Sequence, residues 1–227
     1  MLDNFIFIGL PYGALALFLF VLPYRYFSNR LTWTPFSTQF LERKTLYWGA
    51  MAWHFGIVTV LLAHLAGFLA PRLVEAIISN QTFFLALENV SLGLGLLALF
   101  GSVVLLFRRF TAERIKAVTG IADRLILILL VAQAATGVYI SVYVRWGYQW
   151  YHYTAVPYLY SLLTFHPQIE YVSDFPFFFK LHVAGAFLIL GMLPFTKLVH
   201  LLYLPVGFLK DPPIIYRWLT HPKERQG

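Results

Sequence analysis

The chain has 227 residues, of which 59% are hydrophobic and only 12% are charged. A typical soluble domain is about 45–50% apolar and about 25% charged, so this composition excludes a soluble enzyme, and it equally excludes a disordered chain. A polytopic membrane protein remains. The absence of cysteine excludes disulfides and cysteine-ligated clusters. The net charge of +7 is typical of a membrane protein with basic cytoplasmic loops and does not indicate nucleic-acid binding.

Five stretches are long and apolar enough to cross about 30 Å of hydrocarbon, which takes about 20 residues of α-helix. They cover approximately residues 5–27, 46–70, 83–107, 121–144 and 177–204. Because the backbone must satisfy its own hydrogen bonds in lipid, each stretch is predicted to be a helix. The predicted fold class is therefore all-α: one membrane domain of five transmembrane helices, followed by a tail over residues 205–227.

Lysine and arginine lie mostly on one side of these predicted helices. That side carries three groups: Arg25, Arg30, Arg43 and Lys44 between the first two spans; Arg108, Arg109, Arg114 and Lys116, with Arg124 just beyond, between the third and fourth spans; and Lys210, Arg217, Lys223 and Arg225 in the tail. The other side carries Arg72, Arg145 and Lys180. Because basic loops stay in the cytoplasm, we expect a multi-pass protein of the cell membrane with its N-terminus outside and its tail in the cytoplasm.

Four histidines lie inside predicted spans, where ionisable side chains are rare and usually functional. They are His54 and His64 in the second span and His182 and His200 in the fifth. Two facing helices with two imidazoles each can hold two bis-histidine haems. Without cysteine these haems would be noncovalent and b-type, and two imidazoles on an iron favour electron transfer over substrate binding. Hydrogen bonding between helices and transition-metal transport stay open as alternatives.

The spacing of these histidines along their helices predicts how they pair. At about 1.5 Å per residue, His54 and His64 lie about 15 Å apart along their helix, and His182 and His200 about 27 Å apart on one face. The second and fifth spans run in opposite directions, so His64 is level with His182 on the outer side and His54 with His200 on the inner side. We expect helix tilt and a bend at Pro194 to absorb the difference between the two separations.

Several motifs around these histidines carry a family resemblance. They are Gln39-Phe40-Leu41-Glu42-Arg43-Lys44, the His54/His64 segment ending in Phe68-Leu69-Ala70-Pro71, Thr119-Gly120 leading to Asp123, Thr164-Phe165-His166, Lys180-Leu181-His182, and Pro194-Phe195-Thr196-Lys197-Leu198-Val199-His200. Through these motifs the sequence resembles, over nearly its whole length, the gamma subunit of respiratory membrane-bound nitrate reductase, a dihaem cytochrome b.

The resemblance implies a function and a set of partners. Quinol would be oxidised near an outer haem b held by His64 and His182, with its protons released outside. Electrons would then pass through an inner haem b, held by His54 and His200, to a cytoplasmic iron–sulfur beta subunit. A molybdenum-containing alpha subunit would finally reduce nitrate. The chain would be the quinol-oxidising electron-input subunit, with terminal catalysis in a partner.

Five further residues are expected to contribute to binding sites at the two membrane surfaces. Arg108 and Arg109 are expected to meet the propionates of the inner haem or anionic lipid head groups, the alternative being positive-inside charge alone. Glu88, about 8 Å into the third span, is expected to accept a quinol proton, the alternative being a carboxylate that reaches the interface or a neighbouring helix. Lys180 and His166 are expected to hydrogen-bond a quinone oxygen.

One position departs from the family pattern. Family members can carry a quinol-binding lysine near the start of the third span, where this sequence has Phe84. A cytochrome c donor at the outer surface, or reverse flow with nitrite as the reductant, therefore stays open. So does a related complex acting on sulfite, heterodisulfide or a chlorine oxyanion. An interpretation of a different class is a haem-free membrane anchor.

Overall fold

The computed structural model describes residues 1–28, 42, 44–144 and 147–202. The predicted tail, residues 205–227, and the last two residues of the predicted fifth span lie outside these residues. Five described helices are long and apolar enough to cross a membrane: span 1, Leu2–Ser28; span 2, Lys44–Leu69; span 3, Gln81–Thr111; span 4, Ile121–Val144; and span 5, Phe177–Phe195. No strand occurs in the described part of the chain, so the prediction of an all-α protein with five such helices is confirmed.

Short helices connect the spans. Pro71–Ile78 and Glu113–Ala117 follow spans 2 and 3 directly. Between spans 4 and 5 the chain is helical from Gly147 to Leu163, and a single 3-10 turn follows at Ile169–Tyr171. The segment after span 4, which we call the aromatic segment because it is rich in Tyr and Trp over residues 145–176, is thus mostly helical where the structure describes it.

Of the four π-helical stretches in the described residues, all but Ile140–Val144 precede a proline by a few residues. Phe5–Gly9 precedes Pro11, Leu17–Val21 precedes Pro23, and Tyr151–Ala155 precedes Pro157. Proline has no N–H and its ring clashes with the carbonyl four residues earlier. The wider π turn relieves that clash within a continuous helix, so span 1 crosses unbroken despite its two prolines.

The main helix contacts follow the spatial order span 2, span 3, span 4, span 5, span 1. The Lys180 ammonium pairs with the Asp3 carboxylate at 2.8 Å, and Arg25 donates to the carbonyl of Pro194. Spans 1 and 5 therefore run parallel. We call the membrane face with the N-terminus the N-terminal face, and the other the opposite face. His64 and His182 lie toward the N-terminal face, and His54 and His200 toward the opposite face.

Spans 2 and 3 approach closely because glycines line their contact. A Cβ added at Gly56 would lie 2.6 Å from the backbone nitrogen of Ala98, and one at Gly101 would lie 2.3 Å from the backbone nitrogen of Trp53. Small residues let helix backbones meet in membranes, where lipid supplies no hydrophobic drive for association. This contact fixes the backbone that carries His54, the neighbour of Trp53.

Span 5 does not continue as one helix to residue 204, so the prediction that His182 and His200 share a continuous helical face is wrong. The α-helix ends at Met192, a 3-10 turn follows at Leu193–Phe195, and Thr196 is extended with φ −118° and ψ 174°. A second 3-10 segment, Lys197–Leu201, then carries His200. Pro194 supplies the physical reason, because it cannot continue the hydrogen-bond ladder of an α-helix.

The break in span 5 resolves the mismatch in axial spacing. From His182 to the end of the helix at Met192 the rise is about 15 Å, the same as between His54 and His64. The segment beyond the break stays at that depth, because Leu198 packs on the same apolar cluster as Met192 and Trp53. His200 is therefore presented sideways toward span 2 and not further along the axis.

Candidate functional site

The break in span 5 brings His200 beside His54. The ring centroids of the two imidazoles are 6.1 Å apart, with 60° between the ring planes. Metal–imidazole bonds are about 2 Å long, so two nitrogens on one metal atom stand about 4 Å apart and the ring centres somewhat further. The observed separation therefore leaves room for one metal atom between the rings.

Backbone carbonyls hold three of the four imidazoles by the same ring nitrogen. Nδ1 of His54 lies 2.8 Å from the carbonyl oxygen of Ala50, and Nδ1 of His64 lies 2.8 Å from that of Val60. Nδ1 of His200 lies 2.6 Å from the carbonyl oxygen of Lys197. A carbonyl can only accept, so each Nδ1 carries the hydrogen and each Nε2 keeps its lone pair. This is the tautomer that a histidine needs to bind iron through Nε2, with the acceptor fixing its ring orientation.

His182 reaches the same tautomer through a side chain of span 4. Its Nδ1 lies 3.0 Å from the Thr136 hydroxyl oxygen, and that hydroxyl donates its hydrogen to the Gln133 carbonyl. Thr136 can therefore only accept from His182. The Gln133 amide nitrogen donates to the His182 carbonyl at 3.1 Å and lies 3.3 Å from its Nε2. Gly137 makes room for the ring, since a Cβ there would lie 3.1 Å from its Cε1.

His64 is enclosed on one side by the aromatic segment after span 4. The Tyr151 hydroxyl donates to the His64 carbonyl at 2.8 Å, and the two rings meet edge to face with centroids 5.0 Å apart. Gly67 leaves room for the Tyr151 ring, because a Cβ at position 67 would lie 2.8 Å from the tyrosine Cε1.

The four histidines fit two bis-imidazole haems in most respects. Each carries its hydrogen on Nδ1, and spans 2 and 5 stand at the two ends of the row formed by spans 2, 3, 4 and 5. Among the described residues, no three His, Asp or Glu side chains come together as a metal-ion site. At His182 the fit requires one adjustment: the Gln133 amide has to turn away from Nε2.

Arg108 and Arg109 are held by protein groups on the opposite face. The Arg108 side chain, 2% exposed, donates to the Glu42 carboxylate at 2.7 Å, and Arg109 donates to the Thr119 hydroxyl at 3.1 Å. Desolvation acts to raise the pKa of Glu42, but donation from the Thr45 N–H and the Arg108 guanidinium outweighs it and holds that pKa below the ordinary 4.5. Arg108 thus ties span 3 to the start of span 2.

The three residues expected to bind quinol lie on separate elements toward the N-terminal face. Glu88 is half-buried in span 3, with its carboxylate over Gly147, where a Cβ would lie 3.9 Å away. Lys180 pairs with Asp3, and His166 is exposed after the helix that ends at Leu163.

The residue at the expected lysine position, Phe84, is buried. Its side chain is 2% exposed and packs with Val74 and Ile78 of the short helix after span 2. The position therefore supports the packing of that helix on span 3 and presents no cation at the N-terminal face.

Several residues of this site were not identified from the sequence. Thr136 and Gln133 contact His182, Tyr151 contacts His64, and Asp123 binds Lys197 at 2.7 Å. Gln133 could have been found, because an amide is unusual in the middle of an apolar span. The other three contacts depend on how separate helices meet, which periodicity in one helix does not specify.

Comparisons with known proteins point in one direction. Residues 3–219 match the family profile described as nitrate reductase gamma subunit. The chain is 33% identical over 216 residues to the respiratory nitrate reductase 1 gamma chain of Escherichia coli (strain K12), covering 92% of this chain and 94% of that protein. It is 30% identical over 213 residues to the nitrate reductase gamma chain of Bacillus subtilis (strain 168), covering 92% and 95%. The similarity therefore extends over nearly the whole of each chain.

Proposed function

The chain belongs to the nitrate reductase gamma-subunit family and is a membrane subunit of nitrate reductase, and on that premise we propose that it accepts electrons from quinol and delivers them to cytoplasmic partner subunits. The partners are an iron–sulfur beta subunit and a molybdenum-containing alpha subunit. The N-terminal face would be the outer one, because the basic residues gather on the other side of the spans.

One observation carries this proposal: the 6.1 Å approach of the His54 and His200 rings between spans that are otherwise apolar. His54 and His200 would hold one haem b, and His64 and His182 the other. When bound, these haems would supply two one-electron carriers at different depths in the membrane. The residues around them orient each imidazole through Nδ1 and leave Nε2 as the ligand.

The residues toward the N-terminal face would bind and deprotonate the quinol. Glu88 is half-buried, so its carboxylate sits where it can take a proton from an apolar substrate and pass it toward water. Lys180 and His166 would hydrogen-bond the quinone oxygens, with Lys180 positioned by Asp3. On the opposite face, Arg109 would contact a haem propionate or a lipid head group.

A second candidate function differs in the electron donor or in the direction of electron flow. Because Phe84 is buried and offers no cation, the quinol site lacks one polar group that family members can carry. A cytochrome c at the outer surface would then supply the electrons. Alternatively the flow would run in reverse, with nitrite as the reductant on the cytoplasmic side and a quinone or cytochrome c as the electron acceptor.

The decisive experiment counts haems in the purified complex. We expect a dithionite-reduced b-type spectrum and two haems per chain by pyridine haemochrome assay. His64→Ala or His182→Ala should remove the haem near the N-terminal face, and His54→Ala or His200→Ala the other. His152→Ala, a histidine outside the spans, is the matched control and should keep both. One haem or none in the unmodified protein would contradict the proposal, and reduction by cytochrome c but not by quinol would favour the second candidate.

A further inference from the structure

Lys197 contacts two groups that matter for the position of His200. Its ammonium lies 2.7 Å from the Asp123 carboxylate at the start of span 4. Its backbone carbonyl accepts the hydrogen of His200 Nδ1 at 2.6 Å. One residue therefore connects the His200 ring to a neighbouring span.

The segment that carries His200 depends on such contacts because it lies beyond the helix break. Arg25 of span 1 donates to the carbonyls of Pro194 and Thr196, and the Thr196 hydroxyl accepts the N–H of Leu198 at 3.4 Å. A 3-10 segment of five residues has few backbone hydrogen bonds of its own and poorer geometry than an α-helix. Its position is set by these side chains and by the packing of Leu198.

The two imidazoles of span 2 have firmer acceptors. The carbonyls of Ala50 and Val60 that hold His54 and His64 belong to turns inside an α-helix of 26 residues. The Lys197 carbonyl belongs to the first residue of the short 3-10 segment. Of these acceptors it is the one whose place depends on a partner outside its own helix.

The Asp123 side of the ion pair is fixed. Its carboxylate also accepts the Gly120 N–H at 3.3 Å, as the third residue of span 4. Asp123 is 15% exposed, whereas Lys197 is 48% exposed. Span 4 thus provides the rigid partner, and the lysine side chain transmits its position to the break segment.

We propose that Asp123 and Lys197 form a positioning pair for the His200 imidazole, so that span 4 sets the orientation of one axial ligand of the haem near the opposite face. This inference rests on the proposed function. The other haem should not depend on the pair, because its ligands His64 and His182 are held by Val60 and by Thr136.

The test uses the full complex with Lys197→Met, which keeps the aliphatic stem, and Asp123→Asn, which keeps an acceptor for Gly120. The readouts are haem content, a redox titration of each haem, and the EPR spectrum of the ferric haems, which responds to imidazole orientation. Lys116→Met is the matched control, since Lys116 is an exposed cation in the short helix after span 3. The exchanged pair Asp123→Lys with Lys197→Asp tests for rescue.

We expect each single variant to shift the EPR signal and midpoint potential of the haem near the opposite face, or to lower its occupancy, while the other haem stays as in the unmodified protein. The exchanged pair should recover part of the change, and Lys116→Met should cause none. Unchanged spectra and potentials in both single variants would overturn the inference and leave an ordinary surface ion pair. If Lys197→Met fails to accumulate, Asp123→Asn alone decides. Haem absent from the unmodified complex would instead refute the proposed function.

Discussion

A methyl group added at Gly101 should disturb the haem proposed near the opposite face more than the other proposed haem. In Gly101→Ala the new Cβ would lie 2.3 Å from the backbone nitrogen of Trp53 and 2.7 Å from its Cα, whereas ordinary contact begins near 3.4 Å. The neighbouring atoms are backbone and cannot rotate away. Spans 2 and 3 must therefore separate by about 1.1 Å at the residue that precedes His54.

The expected magnitude follows from this forced displacement. Overpacking a well-fitted contact typically costs about 1–3 kcal/mol, which is about 5- to 150-fold in the folding equilibrium. The displacement also changes the distance between the His54 ring and the His200 ring, now 6.1 Å between centroids. Weaker binding of the haem between these rings, with a lower denaturation temperature, is the expected result.

Gly93→Ala is the matched control on the same helix. A Cβ at Gly93 has no atom within 4 Å, and alanine is the better helix former by about 1 kcal/mol. The assay is thermal loss of the haem absorbance of the purified complex, together with the occupancy of each haem. If Gly101→Ala and Gly93→Ala behave alike, the close approach of spans 2 and 3 does not position His54 and the reasoning fails.

Two further predictions concern the proposed haem and quinol sites toward the N-terminal face. Thr136→Val removes the acceptor of the His182 Nδ1 hydrogen while keeping the side-chain volume, so the midpoint potential of the haem held by His182 should shift and that of the other haem should not. Thr136→Ser keeps the hydroxyl and should leave that potential at its unmodified value. A Thr136→Val protein with the same two potentials as the unmodified protein would refute this role. Glu88→Gln should slow haem reduction by a menaquinol or ubiquinol analogue, measured by stopped-flow absorbance from about pH 6 to 9. Unchanged rates across that range would remove Glu88 from the mechanism.

Much of the fold could be predicted because membrane thickness and hydropathy determine it. The apolar length of each stretch placed four of the five spans within a few residues of their observed ends. Span 5 was predicted too long, because counting turns assumed an unbroken helix, and Pro194 was expected to bend it and not to end it. The extended backbone of Thr196 has no signature in the hydropathy of this stretch.

The site was less predictable because it depends on contacts between helices. His54 and His200 were expected at one depth, and their rings do approach to 6.1 Å; their role as haem ligands stays a prediction. Arg108 was expected to face a propionate or lipid, yet it is buried against Glu42, 66 residues away in sequence. Charge and position alone cannot tell a surface cation from one that finds an internal partner.

The spatial order of the spans has a consequence for biosynthesis. Span 1 leaves the ribosome first and span 5 last, but they are neighbours in the finished bundle. A nascent chain that ends before residue 177 has His54 and His64 and lacks the two imidazoles that face them. Spans 2 and 3, joined by their glycine contact, can pair early and keep that half of the site in place. The proposed haems would be held from both sides only after the last helix has entered the membrane, so on this proposal haem insertion would follow translation instead of accompanying it.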